Sequence, residues 1–326
     1  MRTIVIGSNS FSGQDFVRHA LEHCGDEVIG ISRSEQKDQY NLSYDKNHPN
    51  FEFLQLDLNK DTQKIVDTAK QFEPDYIVNF AAQSIVEPSW DSPEDWYETN
   101  VTSLAKLIPE LCKIESIKKY LHTSTPEVYG SCEARLEESS IYNPSTPYAS
   151  SKAAGDLLLN VYKKQFGFPV CLVRSANVYG ARQQLFKIIP KTVVSLMRGE
   201  KLPLHGGGES TRSFIHISDV SQAERIVLER GDIGGIYHIS HDREVSIRGL
   251  VETICQNMGK QFDECVDIVG ERVGKDSAYT LSSKKMNNLD WFPKVELEEG
   301  IQEVIDWAKT NDIHKKSTGL EYIHKR

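Results

Sequence analysis

Short apolar runs and helically spaced stretches take turns along this chain. Residues 3–7 form an apolar run that predicts a buried strand, and Phe16, Val17, Ala20 and Leu21 recur at helical spacing within 11–21. Further strand-like runs cover 28–31, 51–56, 76–80, 170–173 and 234–240, and Tyr120-Leu121 closes another. Helices are expected from about Trp96, over 148–166 through Ala153, Leu157, Leu158 and Val161, and over 297–308 through Ile301, Val304, Ile305 and Trp307. Strand and helix in alternation predict an α/β fold built on a doubly wound parallel sheet. From Ala181 the pattern loosens, and a second, smaller domain is expected there. Residues 310–326 read as a polar, basic surface tail.

Length and composition narrow the setting. A chain of 326 residues has room for roughly two ordinary domains. A net charge of −9 speaks against a nucleic-acid surface and supplies no polybasic membrane patch. No apolar run nears the ~20 residues needed to span a bilayer, and Met1-Arg2 leads into only a short one, so neither a membrane anchor nor a secretory signal is expected. The six cysteines are scattered without a C-x-x-C pair, which points to free thiols and a cytoplasmic location. Ten histidines without H-E-x-x-H make no legible metal site.

Three local patterns carry candidate chemistry. The first apolar run leads into G-S-N-S-F-S-G (7–13) and then a helix, a setting in which the backbone N–H groups of a helix start can bind pyrophosphate. The second strand ends at Ser32-Arg33-Ser34. An acid at this place would take a ribose hydroxyl, whereas the planar cation of Arg33 suits a phosphate, so NADP is favoured over NAD. A solvated Arg33 with NAD bound is the plainer alternative. The third pattern pairs H-T-S-T-P-E-V-Y-G (122–130) with S-T-P-Y-A-S-S-K (145–152). Thr125 and Glu127 follow a strand's carboxyl end, and an extended backbone there would turn both to one side. Tyr148 and Lys152 fall one helical turn apart, and a nearby ammonium is expected to lower the phenol's pKa from about 10.

These residues resemble the extended short-chain dehydrogenase/reductases, and among them the nucleotide-sugar 4,6-dehydratases. The likeness runs from I-V-I-G near Met1 to E-E-G-I-Q-E-V-I-D-W ending at Trp307. It implies a Rossmann-type sheet formed by 1–178 and roughly 213–241, with a smaller α/β nucleotide-sugar domain from roughly 179–212 and 242–326. It implies cofactor contacts at Gly7, Ser10, Phe11, Gly13, Ser32 and Arg33, with Asp57 and Leu58 at the adenine and Ala81 and Ala82 against the dinucleotide. Asn100 reads equally as a cofactor support or an ordinary polar helix position. For the NDP-sugar it implies Ser84 near the hexose, Asn177, Lys187 and Arg212 at the diphosphate or sugar, and Pro203 to His205 beside the base. Arg272 in E-R-V-G-K is a second cation. On composition alone, a lone Arg beside Gly206–Gly208 is an ordinary solvated loop residue.

The implied reaction oxidises the hexose at C4, eliminates water across C5 and C6, and returns the hydride to C6. Tyr148 is the base at O4, Lys152 supports its phenolate, Thr125 holds O4, and Glu127 is the base at C5. Family members pair helices such as 148–166 into a dimer interface, so a homodimer is expected. The chain departs from the pattern twice. Ser10 stands where the second glycine of the loop is usual, and Pro126 stands where the closest dehydratases carry a proton-donating Asp. Other readings stay open: a nucleotide-sugar 4-epimerase, a decarboxylase acting on a sugar uronate, an oxidoreductase releasing a 4-keto product, or a cofactor-binding regulator without turnover.

Overall fold

The computed structural model describes residues 1–131, 135–270, 280–316, 320–322 and 324. Seven parallel strands form the central sheet: β1 (Arg2–Ile6), β2 (Glu27–Ser32), β3 (Phe51–Gln55), β4 (Tyr76–Asn79), β5 (Lys119–Thr123), β6 (Val170–Ser175) and β10 (Ile236–Ile239). Their order is β10-β6-β5-β4-β1-β2-β3. The chain winds outward from β1 to β3, then crosses back to β4 and runs the other way. The reversal opens a crevice at the carboxyl ends of β1 and β4, where open α/β sheets bind ligands.

Both faces of this sheet are covered, so its strands read as continuous apolar runs rather than alternating ones. On one face, α1 (Phe11–Glu22) and α7 (Ile217–Arg230) pack Phe16, Val17, Val220, Ala223 and Val227 against Val5, Val78, Leu121 and Val173. On the other, α2 (Thr62–Phe72), α4 (Ser103–Leu111) and α5 (Pro147–Phe166) bring Ile65, Val66, Leu104, Leu107 and Leu159 onto Ile4, Ile6 and Tyr120. Each Val, Leu, Ile or Phe side chain among them, fully buried, contributes about 1.5–3 kcal/mol.

A second core forms around α6 (Ile188–Arg198), α8 (Ile247–Asn257) and the helix Leu297–Thr310, with Val193, Leu250, Ile254, Ile301, Val304 and Ile305 at its centre. Two small sheets flank it. One orders β11 (Glu244–Ser246), β9 (Thr211–His216) and β7 (Asn177–Tyr179), and the other pairs β8 (Leu202–His205) with β12 (Val266–Val269).

Three expectations change. The helix expected from Trp96 is α3 (Pro93–Tyr97), then a π-helical turn over Glu98–Thr102, then α4. Asn100 sits in that turn, and its side-chain amide exchanges two 3.0 Å hydrogen bonds with the Gln83 backbone and donates to Ser151 Oγ at 2.9 Å. The residue is thus a clamp between the β4 loop and α5. The final helix runs on to Thr310. Part of the expected surface tail instead returns to the body of the protein. His324 stacks on Trp96 at 5.0 Å and lies 2.9 Å from Asp95, while Tyr322 meets Phe186 edge-on at 5.3 Å.

Candidate active site

The crevice begins at the glycine turn. Gly7 has φ +86, and a Cβ there would lie 2.7 Å from the Ala81 nitrogen. A Cβ on Gly13 would meet the Gly7 carbonyl oxygen at 2.2 Å. Gly7 thus lets the turn lie against the β4 loop, and Gly13 lets α1 start against the turn. Ser10 has an ordinary φ of −67, and its hydroxyl accepts from the Gly13 N–H at 2.9 Å as the N-cap of α1. The departure from glycine therefore caps the helix rather than distorting the turn. Beside the turn, Gly7, Ser10, Ser32, Arg33, Asp57, Leu58, Ala81 and Ala82 line one cavity. Asn9 fixes the far wall by donating to the Ser34 and Glu35 carbonyls. Glycines at the close approaches and a helix start facing the cavity fit a dinucleotide.

A second cavity continues from Ser10 and Phe11 and is lined by Ala82, Ser84, Thr125, Glu127, Tyr148, Lys152, Asn177 and Lys187. All four expected catalytic side chains thus share one cleft with three of the expected substrate contacts. Pro203, His205 and Arg212 lie apart from this lining: the first two on β8, with His205 Nδ1 3.0 Å from the Gly270 carbonyl, and Arg212 on β9, donating to the Thr211 carbonyl at 2.7 Å. Arg272 falls outside the described residues.

Glu127 reaches the cleft by another route than extended backbone. Pro126–Tyr129 forms a 3-10 turn with Thr125 as its N-cap, accepting from the Glu127 N–H at 3.3 Å. Pro126 takes the first helical position, where its missing N–H is harmless. The turn brings the Glu127 carboxylate within electrostatic reach of both Tyr148 and Lys187. The surrounding protein lowers the pKa of the Lys187 ammonium, and the Glu127 carboxylate opposes that.

Tyr148 opens α5. Thr146 caps the helix, accepting from the Ala149 N–H, and the Tyr148 N–H donates to Ser89 Oγ at 3.2 Å. The expectation of a lowered pKa is corrected here. Burial pushes the phenol well above its ordinary value, the Glu127 carboxylate adds to this, and a hydrogen bond with the Thr125 side chain only partly offsets it. The ammonium that was to help has other partners. Lys152 Nζ donates to the Thr123 carbonyl at 2.8 Å and lies 3.1 Å from His122 Nε2. Burial lowers Lys152 to about 8, with Asp156 pulling upward, and His122 is held well below its ordinary value by burial and Lys152.

Beneath Lys152 lies a group of residues that sequence reasoning missed. Asp156 and Arg174 form a fully buried ion pair at 2.8 Å. Ser124 Oγ donates to the same carboxylate at 2.6 Å, and Tyr129 and Tyr142 flank the guanidinium with ring centroids 4.6 and 4.9 Å away. Asp156 follows Lys152 by one turn of α5, and that spacing was the one signal available. Its partner Arg174 comes from β6, which spacing could not announce.

With this geometry in view, the comparisons are specific. A family model described as GDP-mannose 4,6 dehydratase matches residues 4–304. The chain is 30% identical to the dTDP-glucose 4,6-dehydratase of Haemophilus influenzae, over 95% of this chain and 98% of that one. The dTDP-glucose 4,6-dehydratase of Bacillus anthracis, solved in complex with NAD, matches at TM-score 0.87 and 31% identity, covering 96% and 98% of the two chains. That of Streptomyces venezuelae, with NAD and TYD bound, matches at TM-score 0.88 and 32% identity over 95% and 98%. Glycine turn, Tyr–Lys pair and neighbouring carboxylate all lie within the matched region, and the chain belongs to the NDP-hexose 4,6-dehydratase family of NAD(P)-dependent extended short-chain dehydrogenase/reductases.

Proposed function

We propose that Thr125, Glu127, Tyr148 and Lys152 together dehydrate an NDP-hexose to its 4-keto-6-deoxy form. The observation that carries this reading is the Glu127 carboxylate in one cleft with Thr125, Tyr148 and Lys152. When bound, the dinucleotide supplies the acceptor for the C4 hydride and its donor to C6. Thr125 holds the O4 hydroxyl, and Tyr148 takes its proton. The charged Lys152 favours the phenolate form that this requires. Oxidation at C4 acidifies the C5–H, and Glu127 removes that proton. Since Pro126 has no proton to give, Glu127 passes the same proton to the departing 6-hydroxyl. As the hydride returns to C6, C5 takes a solvent-exchanged proton through Glu127, matching the one that Tyr148 took from O4 and then releases, so the net loss is one water. Ser84, Asn177 and Lys187 line this cleft beside the hexose and diphosphate, with Arg212 and Arg272 as further cations and Pro203 and His205 at the base. Incubation with a panel of NDP-hexoses tests the reading: one product should be lighter by one water, without added oxidant or reductant. Unchanged mass across the panel would overturn it.

Arg33 supports NADP as the preferred dinucleotide, although the solved relatives above hold NAD. The protein should bind NADP more tightly than NAD, and Arg33→Ala should lower NADP affinity by about tenfold with little change for NAD. Titration of both dinucleotides decides this, and an unchanged preference removes the argument. A homodimer through α5 is supported by Leu157 and Val161, apolar residues 50% and 58% exposed on that helix. Val161→Asp should halve the mass in sedimentation, while a wild-type monomer would contradict the assembly.

A further inference from the structure

Polar groups also collect on the other side of the sheet from Lys152. Thr123 follows Leu121 by two residues on β5, and Ser175 follows Val173 by two on β6. Both side chains therefore project to the face covered by α1 and α7, where Leu121 and Val173 pack. Glu224 comes from α7 and is 1% exposed. Thr123 Oγ1, Ser175 Oγ and both carboxyl oxygens of Glu224 are shielded from solvent and have no hydrogen-bond partner among the described residues. All three residues line the cavity that contains Thr125, Tyr148 and Lys152, together with the apolar Phe80, Ala176 and Val220.

Orphaned polar atoms in such surroundings are unfavourable unless something in the cavity satisfies them. Their chemistry says what. Burial, and then the nearby Asp15 carboxylate, hold Glu224 well above the usual carboxylate range. As a neutral acid it has one O–H to donate and a carbonyl oxygen to accept, and each hydroxyl also offers both functions. A primary carboxamide presents two N–H donors and one carbonyl acceptor. That is the complement of this set, and a nicotinamide ring carries such a group.

We propose that Thr123, Ser175 and Glu224 form the seat of the nicotinamide carboxamide. The assignment rests on the NAD(P)-dependent reading of the cleft. No step of the proposed reaction uses Glu224, so its effect is on binding and orientation.

The test compares NADP and NAD with their acetylpyridine analogues, in which a methyl ketone replaces the carboxamide and both N–H donors are lost. Binding of each to wild type, Glu224→Leu and Glu224→Gln is measured by calorimetry. Wild type should prefer the carboxamide forms. Glu224→Leu should weaken these by about tenfold and the analogues by clearly less, since the ketone keeps the acceptor but has lost both N–H donors. Glu224→Gln keeps a donor and an acceptor and should retain most of the preference. Equal weakening of all ligands in Glu224→Leu, or a preference as strong as in wild type, would overturn the seat. If wild type itself bound none of these dinucleotides, the cofactor reading would fail, an outcome distinct from loss of the seat alone.

Discussion

Glu127→Gln should bind cofactor and NDP-hexose normally, accumulate reduced nicotinamide, and release almost no dehydrated sugar. The amide fills the space of the carboxylate but cannot accept a proton from carbon. Tyr148, Thr125 and Lys152 are untouched, so oxidation at C4 should proceed and then stall. General-base catalysis contributes about 10²–10⁴-fold, and water release should fall by that order. Absorbance of the reduced ring reports the first step and mass spectrometry the second. The split between them matters more than the overall loss, because a merely misfolded variant would lose both. Burial and Glu127 both disfavour ionisation of Tyr148, so the variant also removes one of the charges acting against the phenolate. Its C4 oxidation should therefore be no slower than that of wild type. Full product formation would take Glu127 out of the mechanism.

Tyr148→Phe should fail one step earlier, forming no reduced nicotinamide. The loss should again be about 10²–10⁴-fold, now in C4 oxidation itself. The pH dependence of that step in wild type has a definite sign. Tyr148 acts as a base, so the rate should rise with pH while Lys152 stays charged. Lys152 titrates at about 8, and above that value the phenolate loses its neighbouring cation. A decline on the alkaline side should follow, with apparent pKa values belonging to the coupled pair. Single-turnover absorbance across pH measures it. A rate still climbing well above pH 8 would show that Lys152 does not support the phenolate.

What could be read from the residues alone was what neighbours in sequence determine. The run 3–7, the glycine turn and the helix after it are local, as is the turn-spaced pair Tyr148 and Lys152 on α5. Contacts made by chain crossovers were hidden. Asp156 meets Arg174 only because β6 returns beside β5, and Glu224 reaches the cleft only because α7 packs on the same face as α1. Pro126 looked like the loss of an acid, yet in the fold it begins the turn that brings Glu127 into the cleft. The phenol's ionisation was misjudged for a similar reason. Spacing gave the distance to an ammonium, but it could not weigh burial or the carboxylate from a different segment. The tail misled by its composition, since the contacts of Tyr322 and His324 are with residues far away in sequence.

The most direct test of the account follows the hydrogen at C5. Wild type and Glu127→Gln are each incubated with the NDP-hexose and NAD(P) in heavy water, and deuterium at C5 is read by NMR. The account predicts solvent deuterium at C5 in the wild-type product and essentially none in sugar recovered from Glu127→Gln. Equal incorporation by both proteins would contradict it.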